Sequence, residues 1–252
     1  MKKCTVPDRP DLYDLMYSNF FADIPVYEII LNNCKRILLC GMGTGRVAIP
    51  FAKEGIEVIG IDNSSKMLNC FYNKIIEHPE FADLIDVKKA DMRTFVSSKE
   101  IDAVLYAFST FNYLLNIEDQ KQCLSNNIKS LKKDGLVAFE LLTKATFKGL
   151  NTNAVEVIGT IFENAESKMM FSRKTTLDNN SCILEQDRFF ETTYKSGEIK
   201  KDKTCLVNRF ISLEEIKMTL KAVGLKFVAT YGDLNFAKFD ENSEYLFIVA
   251  KK

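Results

Sequence analysis

RILLCGMGTGR, residues 36–46, decides how the rest of this chain is read. An apolar run at 37–40 meets glycines at alternate positions, Gly41, Gly43 and Gly45. A helical stretch over 47–54 follows, with Gly55 as its stop, and a second apolar run at 56–61 ends in Asp62. Strand, glycine turn, helix, strand and acid make up a nucleotide-binding half of a doubly wound α/β sheet. The first strand is short and apolar throughout, as befits a strand buried on both faces.

The same alternation continues downstream. Ser64 or Ser65 starts a helix with Met67, Leu68, Phe71, Tyr72, Ile75 and Ile76 at helical spacing, which His78-Pro79 ends. Strands are expected at 85–88 and 103–107, a loop at 109–113, a helix at 119–131, a turn at Asp134-Gly135 and a strand at 136–142. Strands alternating with helices predict a parallel sheet. From about residue 155 the texture changes. Segments 155–163, 168–177, 182–194 and 199–208 are extended and partly alternating, with turn signals at Asp178-Asn179-Asn180 and Lys195-Ser196-Gly197, which predicts an antiparallel insert. Ser212 and Glu215 form a capping box for a helix at 213–223 that stops at Gly224. Two adjacent strands, 225–231 and 245–250, complete a mostly parallel seven-stranded sheet.

Upstream, residues 8–33 follow a helical period, with Pro25 inside the stretch. Tyr13, Tyr17, Phe20 and Phe21 make it aromatic, which suits either a helix docked on the sheet edge or a lid over a ligand. The expected organisation is a helical lid at 1–33, a ligand-binding core at 34–150 and 209–252, and an antiparallel β insert at 151–208 that shapes an acceptor pocket.

Composition narrows the function. Lys+Arg and Asp+Glu both total 34, so no single-sign field argues for nucleic acid as a partner. The N-terminus has two lysines but no apolar run behind them, so no secretory signal is expected. No apolar run approaches the roughly 18 residues of a membrane span. The seven cysteines are scattered and the only histidine, His78, sits in a turn, so no metal site is expected. Free thiols in a reducing cytoplasm are the simplest reading. The insert suits either a pocket lid or a dimer surface, which leaves a homodimer open.

Arg46 excludes two phosphate motifs. The P-loop and the dinucleotide fingerprint both require a small residue at that position, counted from Gly41. The chain has G-x-G-x-G instead, so backbone approaches the ligand along the turn itself. Asp62, at the end of the second strand, is placed to accept hydrogen bonds from a ribose diol; the alternative is the N-cap of the next helix. Asp91 ends the next strand on the same sheet edge. It can accept from an adenine amine, with Met92 packing near the ring, or cap a helix.

LLCGMGTGR, GIDNSSKML, KKADMRTF and LYAFSTFNYLLNIED occur in that order, and together they resemble four motifs of the class I S-adenosylmethionine-dependent methyltransferases. RFISLEEIKMTLKAVGL and the final YGDLNFAKFDENSEYLFIVAKK, behind an antiparallel insert, are similar to the bacterial small-molecule branch, which includes sugar-amine N-methyltransferases and relatives of glycine N-methyltransferase. The resemblance implies a Rossmann-like methyltransferase fold with S-adenosyl-L-methionine as cofactor. It places Gly41, Gly43 and Gly45 on the methionine part, Asp62 on the ribose, Asp91 and Met92 at the adenine, and Asn63 and Met67 among the other cofactor-binding residues. Phe108 and Ser109 close over the cofactor. One departure is strand 1, where Leu38, Leu39 and Cys40 stand in place of the usual acid-containing motif.

The expected acceptor is a small molecule, with an amine weakly preferred because aromatic rings hold cations. Tyr13, Tyr17, Phe20, Tyr113, Arg209 and Tyr231 are the expected acceptor wall, and Tyr13, Tyr17, Asn112 and Tyr113 are candidates for a catalytic role. An RNA or protein methyltransferase, and a subunit that binds the cofactor without turnover, are the alternatives.

Overall fold

The computed structural model describes residues 8–147 and 154–252. The expected beginning of the lid and the expected boundary at 150/151 lie outside these described residues. In chain order the elements are α1 (Pro10–Tyr17), α2 (Ile24–Ile30), β1 (Arg36–Cys40), α3 (Ala48–Lys53), β2 (Glu57–Asp62), α4 (Ser65–Ile75), β3 (Ile85–Lys89), β4 (Ile101–Tyr106), α5 (Ile117–Asn127) and β5 (Leu131–Leu142). They continue as β6 (Val155–Glu163), β7 (Ser167–Asp178), β8 (Ile183–Tyr194), β9 (Ile199–Arg209), α6 (Leu213–Ala222), β10 (Lys226–Tyr231) and β11 (Tyr245–Lys251).

The main sheet has seven strands in the order β10-β11-β5-β4-β1-β2-β3. β1 to β5 are parallel, and β11 runs antiparallel to both β5 and β10. β1 lies between β2 and β4, so the strand order reverses beside it, and the glycine turn leaves its carboxyl end there. Alternate residues of β1 feed opposite cores. Ile37 and Leu39 pack with Phe51, Phe71 and Tyr27. Leu38 and Cys40 pack on the other face with Cys123, Leu124, Ile216 and Leu220. The insert is a separate four-stranded antiparallel meander, β6-β7-β8-β9.

Three expectations change. The helix read over 8–33 is two helices, with Pro25 in the first turn of the second; a proline tolerated there would have broken a continuous helix. α2 also belongs to the core, since Ile24, Val26 and Tyr27 are buried under the sheet, so only α1 stands apart from it. Asp134-Gly135 is not a turn between elements. It lies inside β5, where the register against β4 shifts and Asp134 takes φ +65°. Finally, Cys34, Cys40, Cys70, Cys123 and Cys182 are free thiols, as read, but Cys205 is disulfide-bonded.

Candidate active site

A cavity of about 510 Å3 opens at the carboxyl ends of β1, β2, β3 and β4. Its floor is the glycine turn. Gly41, Gly43 and Gly45 all take left-handed φ, at +68°, +57° and +89°, a conformation other residues adopt at a cost. Their surroundings differ. A Cβ on Gly41 would lie 2.5 Å from Thr110, and one on Gly45 would lie 2.5 Å from Phe71. A Cβ on Gly43 would meet nothing within 4 Å. Gly41 and Gly43 line the cavity, whereas Gly45 serves the packing of the turn on α4.

Asp62 locks this floor to the next element. Its Oδ2 accepts from Gly43 N–H at 2.9 Å and its Oδ1 from Ser64 N–H at 2.8 Å. Burial pushes its carboxyl above the usual range, and those backbone N–H groups oppose the shift. Each oxygen thus accepts a backbone hydrogen bond, and a carboxylate oxygen has further lone-pair capacity with which to accept from a ligand hydroxyl. Ser64 caps α4 by accepting from Met67 N–H at 3.2 Å. Asn63 and Met67 are on the cavity wall beside Asp62.

Asp91, Met92, Asn116 and Asp119 form the far wall. The Asp91 carboxylate is already engaged: Arg93 reaches it at 2.6 Å and holds its pKa below the usual range, while Arg93 also pairs with Asp119 at 3.2 Å. The Met92 loop is held from behind by Asn127. That buried amide donates to Met92 C=O at 3.0 Å and Phe95 C=O at 2.9 Å, and accepts from Tyr106 OH at 2.6 Å. Cys40 Sγ lies 3.4 Å from the same amide oxygen. The Cys40 thiol at the end of β1 therefore faces this buried polar cluster, on the sheet face where Leu38 also packs.

The roof is aromatic and centred on Phe108. Tyr17, Phe20 and Tyr13 pack on its ring at centroid distances of 5.1, 5.9 and 6.5 Å. Phe108 and Ser109 both take left-handed φ, +48° and +61°, without being glycine. The Phe108 N–H is held in that conformation by Glu140 Oε2 and Tyr27 OH, each at 3.1 Å. Tyr27 also hydrogen-bonds Glu140 directly. Burial pushes the Glu140 carboxyl up to about 7, helped by the nearby Asp23 charge and opposed by the Tyr27 hydrogen bond.

Arg46 is the residue whose part the sequence concealed. It forms a bidentate ion pair with Asp23 at 2.7 Å, donates to Phe20 C=O at 2.8 Å, and sets its guanidinium 4.5 Å above the Phe108 ring. Arg46 lines the cavity, and its Nε is buried without a partner among the described residues. Position 46 counted against phosphate motifs, but no spacing rule links it to residue 23. The only signal was a cation directly behind a glycine turn.

Of the remaining expected residues, Tyr13, Phe108 and Tyr113 line the cavity. Tyr17 and Phe20 sit behind Phe108. Ser109 is absent from the wall, where Thr110 stands instead. Asn112 is fully buried and its amide is used structurally, donating to Arg209 C=O and accepting from Leu142 N–H. Arg209 pairs with Glu215 of α6, and Tyr231 packs on Phe236; neither reaches the cavity. The described residues contain no cluster of side chains able to hold a metal ion.

The cavity fits S-adenosylmethionine on its own chemistry. It offers the Asp62 carboxylate, an open glycine backbone, a loop carrying Met92 and one buried guanidinium N–H, at Arg46 Nε, that has no partner among the described residues. Comparisons agree. Residues 37–135, which span β1 to β4 and the start of β5, match the family described as Methyltransferase domain. A protein of Geobacillus sp. (strain WCH70) bearing a methyltransferase name is 26% identical over 218 residues, covering 86% of this chain and 85% of that one. CalS10, an amino pentose methyltransferase of Micromonospora echinaspora solved with S-adenosylmethionine bound, superposes with a TM-score of 0.72 at 16% identity, over 100% of this chain and 99% of that one. The sugar N-methyltransferase KedS8 of Streptoalloteichus sp. ATCC 53650 gives 0.76 at 12% identity, over 99% and 93%. With the domain match falling on the strands that carry the glycine turn, Asp62 and Met92, the chain is an S-adenosylmethionine-dependent methyltransferase that resembles the class I family and, within it, the bacterial small-molecule branch.

Proposed function

We propose that the enzyme methylates a small-molecule acceptor, by preference at an amine nitrogen, through in-line displacement. The observation that carries this reading is the closed aromatic roof: α1 lays Tyr13 and Tyr17 over the Phe108 loop, leaving a confined approach suited to a small molecule. The electron-rich ring faces there favour a cationic or amine-bearing acceptor, and KedS8, a structural neighbour, is a sugar N-methyltransferase.

When bound, S-adenosylmethionine supplies an electrophilic methyl group on a sulfonium. The chain supplies alignment and exclusion of water. Gly41 and Gly43 would lie along its methionine part, Arg46 Nε would face a carboxylate, Asp62 would hold the ribose hydroxyls, and Met92 would pack near the adenine. Burial pushes the phenols of Tyr13 and Tyr113 above their ordinary value. Both stay neutral at physiological pH, so they orient an acceptor by hydrogen bonds and do not abstract its proton. The amine would then enter with its lone pair free.

The test is turnover. Incubated with S-adenosylmethionine and a panel of amines, amino sugars and matched alcohols, the enzyme should release S-adenosylhomocysteine only with a competent acceptor. Preference for the alcohols would overturn the amine assignment.

A further inference from the structure

A second cavity, of about 440 Å3, lies between α1 and the face of the insert sheet that α1 covers. Its walls include Tyr17 and Met16 from α1 and Phe171, Arg173, Gln186 and Arg188 from β7 and β8. It is adjacent to the cofactor cavity: Tyr17 lines this one, Tyr13 lines the other, and their rings are 5.2 Å apart.

Two features of its wall call for explanation. Arg173 and Arg188 are directly opposite each other in the β7–β8 register. Like charges facing across a strand pair destabilise it. Arg173 has a counter-charge, Glu156, at 3.1 Å. Among the described residues no carboxylate pairs with Arg188. Its Nε donates to Gln186 Oε1 at 2.6 Å, and Gln186 is itself held by Thr175 at 3.3 Å. That chain fixes the guanidinium through its inner nitrogen and leaves both terminal NH2 groups without an acceptor among the described residues. None of the residues lining the cavity is acidic. The Arg188 charge also reaches the site, since it opposes the burial that raises the Tyr113 phenol.

An oriented, uncompensated arginine in a roomy cavity is built to receive an anion, and the planar fork matches a carboxylate or phosphate. We infer that this cavity is the acceptor pocket and that the acceptor carries an anionic group, a carboxylate or a phosphate, held by Arg188 with Arg173 facing it. The inference rests on methyl transfer in the adjoining cavity and adds the substrate class: a small organic anion whose nucleophile reaches past Tyr17 and Tyr13 toward the Phe108 loop.

The experiment titrates the full chain, with and without saturating S-adenosylhomocysteine, with acetate, inorganic phosphate and acetamide, followed by calorimetry or NMR shifts. At least one anion should bind saturably and acetamide should not; whether acetate or phosphate wins assigns the group. Arg188→Gln should weaken anion binding about tenfold or more, the usual loss for a hydrogen bond to a charged group, and leave S-adenosylhomocysteine affinity unchanged. Arg188→Lys should keep part of the anion affinity, which separates loss of charge from damage to the sheet. No saturable anion binding, equal binding of acetamide, or undiminished binding by Arg188→Gln would each overturn the inference. Failure of S-adenosylhomocysteine to bind would instead count against the cofactor reading, and the titrations without it would still report on the pocket.

Discussion

Asp62 shows how one carboxylate can serve fold and ligand together. The sequence offered two readings, a ribose acceptor or an N-cap, and the structure gives the capping of α4 to Ser64. Asp62 instead spans the glycine turn and the Ser64 N–H. Removing it leaves two N–H groups without acceptors, at about 1–3 kcal/mol each if they stay dry. Asp62→Ala should therefore lower thermal stability and also weaken S-adenosylhomocysteine binding by about tenfold or more; unchanged calorimetric affinity in the folded variant would remove Asp62 from the ribose role. Glu140 makes a prediction of a different kind. Its carboxyl is raised from an ordinary 4.5 to about 7 in the folded chain. Below about 4.5 it is protonated in both folded and unfolded chains. Between these values the folded chain keeps a proton that the unfolded chain releases, and above about 7 the buried group must ionise. Its contribution is thus fully present at the acid end and lost as pH rises through 7, a swing of about 3 kcal/mol. Asp23, Arg46 and Tyr27 face the same carboxyl, so the clean measurement is a difference. Relative to Glu140→Gln, the wild type should lose stability between pH 5 and pH 8 in denaturant titrations, and a flat difference would show that Glu140 does not titrate there.

At the scale of elements, legibility followed the range of the interaction. Strands β6 to β9 were readable to within a residue or two because local turn residues bound them. The nucleotide-binding half was readable because its motif lies within one strand–turn–helix–strand unit. What stayed hidden depends on contacts distant in sequence. Arg46 with Asp23, Glu140 with the Phe108 N–H, and Asn127 with the Met92 loop each join residues that no period relates. The N-terminal segment failed for the same reason. Its helical period is real on both sides of Pro25, but only tertiary packing distinguishes α2, under the sheet, from α1, which lies between two bodies. Thr44 and Lys74 hold α1 to the core through Asp14, and Leu12 and Met16 meet Phe171 and Phe190 of the insert. Deleting residues 1–21 should accordingly spare most of the core and abolish acceptor turnover. Folding can be read from the melting transition, and a truncated enzyme that keeps full turnover would end the lid assignment. Asn127→Ala acts from the opposite side. It frees the Met92 and Phe95 carbonyls and should weaken S-adenosylhomocysteine binding through the loop, although Asn127 does not line the cavity.

For the whole molecule, the question is whether its two sheets behave as one cooperative unit. Among the described residues no strand of the insert pairs with a strand of the core. The largest fully buried side chains, among them Tyr27, Tyr106, Phe51, Phe139 and Phe247, all belong to the core and α2, and none to β6–β9. The satellite cluster that joins the insert to α1 has only three buried members, Leu12, Phe171 and Phe190. Opening free energy scales with buried apolar contacts, so the insert should open without the core. In native-state hydrogen exchange, amides of β7 and β8 should exchange through an opening of lower free energy than those of β1 and β4, with its own denaturant dependence. S-adenosylhomocysteine should then slow exchange chiefly at the glycine turn and the Met92 loop. Conversely, an anion seated at Arg188 should slow exchange across β7 and β8, because ordering that face removes part of the opening that exposes it. If all four strands instead shared one opening free energy, the insert and core would fold as a single unit, and acceptor and cofactor sites could not be stabilised separately.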